Sequence, residues 1–229
     1  MNINRFRNRE DAGRRLAAEL KPYAVEHPIV LALPRGGVPV AREIARALSA
    51  PLDVCVVRKV GAPFMPELGV GAVAEGGCVY LSPQMLKDTG LSEAALSETI
   101  ANKRREVDER VKKFRGDHPR PSLRDRTVIV VDDGIATGGT VRAAVRSLRG
   151  EMPKKIVLAV PLAAPSTIKD LAAEVDRVVA LVTPDTLVAI GFWYDDFTQV
   201  SDDEVVRLLE QARREEADAE HAARASRPE

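Results

Sequence analysis

Two adjacent carboxylates, Asp132 and Asp133, are followed at once by Gly134-Ile135-Ala136-Thr137-Gly138-Gly139-Thr140. Glycines let backbone N–H groups approach a ligand closely, and Thr137 and Thr140 add hydroxyl donors, so the loop suits an anion such as a phosphate. The acidic pair repels phosphate. It suits groups that donate to carboxylates, namely ribose hydroxyls, or a hydrated Mg²⁺. A loop of this kind needs a rigid strand before it and a helix after it. Val128-Ile129-Val130-Val131, a run of β-branched apolar residues, predicts a strand buried on both faces of a parallel sheet. Val141, Ala144, Val145 and Leu148 recur at helical spacing, so a helix from Val141 would aim its positive end at the loop. No Lys follows the glycines, as a Walker phosphate loop requires, and the glycine spacing of the dinucleotide fingerprint is missing.

The same arrangement occurs earlier in the chain. Ile29 to Leu33 predicts a buried strand, Pro34-Arg35-Gly36-Gly37 a turn, and Val38 to Leu48 a helix, again with backbone donors at a helix N-terminus. Alone, this reads equally well as a plain βα turn with a solvent-facing arginine. Leu52 to Val57 predicts the next buried strand, running into Arg58-Lys59. Cations there would sit at the C-terminal edge of a parallel sheet, where such sheets bind ligands, unless the pair is simply a solvated strand end.

Taken together, the hydrophobic run, Asp-Asp, small residues and Thr-Gly-Gly-Thr of residues 128–140 resemble the phosphoribosyl-pyrophosphate (PRPP) motif of type I phosphoribosyltransferases. The resemblance implies an α/β fold, a doubly wound parallel sheet with a small hood and a flexible lid hairpin. It implies transfer of a 5-phosphoribosyl group from PRPP to a nitrogenous base, with Mg²⁺ as cofactor and pyrophosphate released. Asp132 and Asp133 would hold the ribose hydroxyls and the metal, while Gly134, Ile135, Ala136, Thr137, Gly138, Gly139 and Thr140 would bind the 5′-phosphate. Arg35, Gly36, Gly37, Arg58 and Lys59 would stabilise pyrophosphate, and the family often carries a non-proline cis peptide beside the residue matching Arg35. Gly61 to Gly77 falls where the family places its lid. Glu75, just before a glycine, matches a lid carboxylate, although this stretch lacks the Lys or His that such lids also carry. Ala136 stands where hypoxanthine-type relatives hold a third acid.

The flanking chain supplies the remaining expectations. Asn8 to Leu20 predicts a first amphipathic helix; Val70-Ala74 and Cys78-Leu81 about Glu75-Gly76-Gly77 predict a hairpin. Pro83 opens a short helix, and Leu91 to Arg115 is a long amphipathic one whose cations interleave with acids, as on a solvated face. Residues 116–126 read as a linker, Lys154 to Val160 and Arg177 to Val182 as strands, with a helix from Ser166 to Ala173 between them. Only 4% of residues are aromatic, so Phe192-Trp193-Tyr194 stands out. In a hood spanning about 184–200, Phe192 or Trp193 would stack on a base and Asp195 would hold a base amino group or a magnesium water. Packing of these aromatics onto the core is the competing reading. Ser201 caps a last helix, and residues 216–229 read as a disordered tail after a single domain of residues 1–215.

Bulk properties narrow the classes. Basic and acidic residues balance at 34 each, giving no field toward nucleic acid or membrane. No apolar run has the length of a membrane span, and nothing resembles a signal peptide. Cys55 and Cys78 read as buried or incidental thiols ahead of a disulfide. A cytoplasmic homodimer acting on PRPP and a small base is expected, with a non-enzymatic PRPP-sensing regulator as the alternative.

Overall fold

A computed structural model describes residues 5–225. The chain opens with α1 (Arg9–Leu20), capped by the Asn8 side chain, which accepts from Asp11 N–H at 2.9 Å. β1 (Ile29–Ala32), α2 (Gly37–Leu48) and β2 (Leu52–Val54) follow. β3 (Val57–Ala62), β4 (Met65–Ala74) and β5 (Val79–Leu81) lead to α3 (Pro83–Thr89) and α4 (Ser97–Arg115). Then come β6 (Thr127–Val131), α5 (Gly139–Arg149), β7 (Lys155–Leu162), α6 (Pro165–Leu171), β8 (Arg177–Val182) and α7 (Asp202–Ala225).

The central sheet has the order β2-β1-β6-β7-β8, every pair parallel. Alternate strand residues feed two cores. Val30, Ala32, Ile129 and Val131 pack with α1, α2, α4 and α7 on one face. Ile29, Leu31, Val128 and Val130 pack with α5 and α6 on the other. The continuous β-branched run at 128–131 is buried throughout, as a strand covered on both faces must be. The doubly wound sheet expected from the sequence is present.

Three expectations are corrected and one is extended. Leu52 to Val57 is not one strand: the parallel strand stops at Val54, and β3 starts a separate antiparallel sheet of order β3-β4-β5. The run is apolar except for Asp53 and conceals the switch, because both halves are buried. The expected hairpin at Glu75-Gly76-Gly77 does join β4 to β5, but β4 also pairs with β3. The base of this small sheet is core material, with Val70, Ala72, Val73 and Ala74 fully buried, and only its tip projects, Phe64 being 64% exposed. β7 runs on through Pro161 to Leu162. Its pairing with β6 has already ended at Ala159, so the missing proline N–H interrupts no ladder on that side. Finally, residues 216–225, expected to be disordered, continue α7; residues 226–229 lie outside the described residues.

Among the described residues no helix is long and apolar enough to cross a membrane. Cys55 is buried and Cys78 half-buried, both free. Burial in an apolar setting pushes the Cys55 thiol up to about 12.

Candidate active site

Two strand-turn-helix units meet at the C-terminal edge of the sheet. β1 and β6 are neighbours, with Ala32 level with Val131, so the turns leaving them lie side by side. The Pro34–Arg35 peptide is cis, as the resemblance implied. The contact between the turns is close. A Cβ on Gly36 would fall 2.0 Å from Asp133 Oδ2, so a side chain at that position would drive the two loops apart.

The acidic pair is the electrostatic centre. Burial and the neighbouring charge of Asp133 hold the Asp132 carboxyl well above the usual carboxylate range, against the pull of the Asp133 N–H, Arg9 and Lys59. Asp132 Oδ1 accepts that N–H at 2.9 Å. Burial also raises Asp133, with Arg9 opposing it. Two close carboxylates, Asp133 buried and Asp132 half-buried, favour any ligand that brings positive charge or hydroxyl donors. As a donor set they match Mg²⁺, which binds through one or two carboxylates and completes its shell with water and substrate oxygens.

Arg9 and Tyr194 fix Asp133 in place, and sequence reasoning missed both. Arg9 Nε lies 2.8 Å from Asp133 Oδ2, and its Nη1 donates to Thr198 O at 2.8 Å. The guanidinium also sits 3.8 Å above the centre of the Phe197 ring. Tyr194 is 1% exposed, and its hydroxyl donates to the Asp133 carbonyl at 2.7 Å. Burial and the nearby Asp133 charge raise its pKa. One clue was available for Arg9. A cation in the first turn of a helix opposes the helix dipole, so an arginine directly after the Asn8 cap calls for an anion from elsewhere.

Beyond the pair, the loop has the form of a cradle. Gly138 caps α5 at φ +76°, a left-handed conformation that suits glycine. Helix α5 starts two residues before the expected Val141. This puts the N–H groups of Gly139 and Thr140 in its first turn, where they have no intrahelical acceptor. Ala136 and Thr137 are exposed, and Gly139 and Thr140 half-buried. Two bonds hold the loop from behind: Ile135 N–H donates to Leu162 O at 2.9 Å, and the Thr167 hydroxyl to Ala136 O at 2.7 Å.

The other expected residues divide. Arg58 and Lys59 lie on β3 of the antiparallel sheet rather than at a parallel strand end, and adjacent strand residues point to opposite faces. Lys59 acts on Asp132, whereas Arg58 turns toward α4, with Nε 3.7 Å from Glu106 Oε2. Glu75 is not at this corner in a usable form. It is 8% exposed and clasped by Arg115 at 2.5 and 3.1 Å, with Arg120 at 3.2 Å. Arg115 also bonds Asp53 at 2.9 Å, so Glu75 belongs to a buried ionic cluster that ties α4 to the sheet. Asp195 pairs with exposed Arg5 at 3.3 Å. Among the described residues no third acid gathers with Asp132 and Asp133 to make a larger metal-ligand group. Of the two aromatics expected to stack, Phe192 is 66% exposed, while Trp193 packs partly against the Phe6, Leu162 and Tyr194 cluster.

The profile of the phosphoribosyl transferase domain matches residues 1–196, which hold both loops, the acidic pair and the Tyr194 buttress. The chain belongs to the phosphoribosyl transferase domain family. TT1426 of Thermus thermophilus, a solved structure, is 42% identical, covering 90% of this chain and 98% of its own, with a TM-score of 0.78. Two Mycobacterium tuberculosis proteins, Rv0571c and MT0597, provisionally named phosphoribosyl transferases, are each 45% identical over 214 residues, 93% of this chain. The chain spans about half the length, 48%, of these curated relatives. Family membership therefore confirms the resemblance drawn from residues 128–140, and the α/β sheet is the fold that goes with it.

Proposed function

We propose that this protein transfers the 5-phosphoribosyl group of PRPP to a nitrogenous base, releasing pyrophosphate. The observation that carries the reading is the contact of the Pro34–Gly37 turn with Asp133, beside the open N-terminus of α5. This contact sets a phosphate cradle, a hydroxyl-binding acidic pair and a second anion loop side by side, and a sugar bearing a phosphate at one end and a diphosphate at the other needs all three.

In this reading the C1–oxygen bond to pyrophosphate breaks as a ring nitrogen of the base forms its bond to C1. A proton leaves the base. Little covalent work falls to the protein, which positions the reactants and stabilises charge. The α5 amides and Thr137 and Thr140 hold the 5′-phosphate. Asp132 and Asp133 accept from the ribose hydroxyls and offset the cationic sugar as the bond to the leaving group weakens. Arg35, Lys59 and the Gly36 amide face the leaving diphosphate, whereas the Gly37 N–H already donates to Leu33 O at 3.1 Å. Mg²⁺ would be held by Asp132 and Asp133 together with substrate oxygens, and when bound it neutralises diphosphate charge. Exposed Phe192 offers a face for the base. With Glu75 and Asp195 both held in ion pairs, proton transfer falls to the base itself. A homodimeric, cytoplasmic salvage enzyme completes the reading.

A sensor that binds PRPP without turnover is favoured by one feature: exposed Ala136 in place of the third acid of hypoxanthine-type relatives. Incubation with PRPP, Mg²⁺ and a panel of purine and pyrimidine bases separates the two. Pyrophosphate release that depends on one base supports the transferase, and saturable PRPP binding with no release across the panel supports the sensor. Absence of PRPP binding refutes both.

A further inference from the structure

Helix α4 carries dense charge, and the proposed reaction gives it no task. Toward its C-terminal end, Arg110 and Lys113 close on one carboxylate, that of Asp202, the first residue of α7. Arg110 Nη1 lies 2.8 Å from Asp202 Oδ1, and Lys113 Nζ 3.0 Å from Oδ2. The third cation is Arg35 of the Pro-Arg-Gly-Gly turn, its Nη1 3.6 Å from Asp202 Oδ1. Arg58 lies alongside, 3.7 Å from Glu106, its Nε buried with no hydrogen-bond partner among the described residues. The Asp202 side chain is only 19% exposed.

This arrangement is unbalanced. Arg35, Arg58, Arg110 and Lys113 share Asp202 and Glu106, and Glu106 is also held by Lys103 at 2.6 Å. Like charges this close repel one another, Arg35, Arg58 and Arg110 being half-buried, and a single carboxylate offsets only part of that repulsion. Partly exposed ion pairs contribute little to stability, so gathering three cations on Asp202 is a poor way to anchor a helix. It is a good way to hold a polyanion. One of the three cations belongs to the turn that the proposed reaction assigns to diphosphate.

We propose that Arg110 and Lys113 belong with Arg35 to the diphosphate-binding set, and that Asp202 is the built-in anion a diphosphate must displace. The inference rests on the phosphoribosyl-transfer reading. Arg35 exchanges the carboxylate of α7 for the leaving group, and α4 thereby takes part in binding although no sequence motif marks it. The contact of Arg35 with Asp202 gives the diphosphate set a carboxylate of the chain's own.

Calorimetric titration of pyrophosphate, with and without Mg²⁺, into the full chain and its Asp202→Asn, Lys113→Ala, Lys113→Arg and Arg110→Ala variants tests this. Removing the competing charge should tighten binding about two- to fivefold in D202N, the range of partly exposed ion pairs. K113A and R110A should weaken it by a similar factor, and K113R should restore it. The Lys113 side chain is 49% exposed, so its variants test binding without threatening the fold. Pyrophosphate that binds the unaltered protein but binds D202N no more tightly, or binds K113A equally well, overturns the inference and leaves the transferase reading standing. Failure of the unaltered protein to bind pyrophosphate under either condition overturns both.

Discussion

Replacing Arg9 with methionine tests whether the acidic pair is held by a cation from outside its own motif. Methionine keeps the apolar stem and loses the guanidinium, leaving Asp133 without its partner at 2.8 Å. Removing one member of a buried ion pair costs about 3–5 kcal/mol, because the other charge stays buried. Here the two side chains are 10% and 13% exposed, so residual solvent lowers the expected cost to about 3 kcal/mol. The bond to Thr198 O and the stacking on Phe197 are lost together with it and are not added separately. For a chain of this size, each kcal/mol lowers the unfolding midpoint by roughly 2–4 °C, which gives a drop of roughly 6–12 °C. Urea unfolding of R9M, D133N and the double variant closes the cycle, with an expected coupling of about 1.5–3 kcal/mol. An R9M protein within about 0.5 kcal/mol of the unaltered one, or single effects that add within that margin, would refute the reasoning.

Three further outcomes are expected. Gly36→Ala places a methyl 2.0 Å from Asp133 Oδ2, and Arg9 leaves that carboxylate little room to retreat. PRPP binding, read by thermal shift, should fall at least tenfold, while stability drops by about 1–3 kcal/mol, the usual cost of overpacking. Glu75→Gln, if Glu75 serves the Arg115 cluster alone, should lower the unfolding free energy by about 1–3 kcal/mol and leave PRPP affinity within about twofold; a large affinity loss with unchanged stability would restore Glu75 to the site. Hydrogen bonds from Lys155 and Thr127 hold Glu26 below the usual carboxylate range. Its contribution is therefore present above the pH where the unfolded chain's glutamate titrates, and it is lost as pH falls through the lower folded value. Denaturation curves across the acid range should show a shallower loss in Glu26→Gln, by about 0.5–1 kcal/mol.

The chemistry of the site was legible in the chain wherever contiguous residues carry it. Val128–Val131, the acidic pair and the Thr-Gly-Gly-Thr turn lie within one stretch, and strand burial, helix polarity and glycine flexibility are local properties. The first turn gained meaning only by recurring before a second helix. What the sequence could not show is which distant groups share a charge. Glu75 and Asp195 look alike as acids beside glycines or aromatics, but ion pairs with Arg115 and Arg5 separate them from the acidic pair.

By itself the sequence determined the alternation of strands and helices, the parallel sheet and the anion loops, because periodicity and turn chemistry act over a few residues. Tertiary structure decided that Arg9 and Tyr194 hold Asp133, that Arg58 faces α4, and that the strand begun at Leu52 changes sheets at Val54. Each of these depends on burial and Coulomb contacts between residues far apart in the chain, 124 positions in the case of Arg9 and Asp133, and such pairings exist only once the sheet has set their distance.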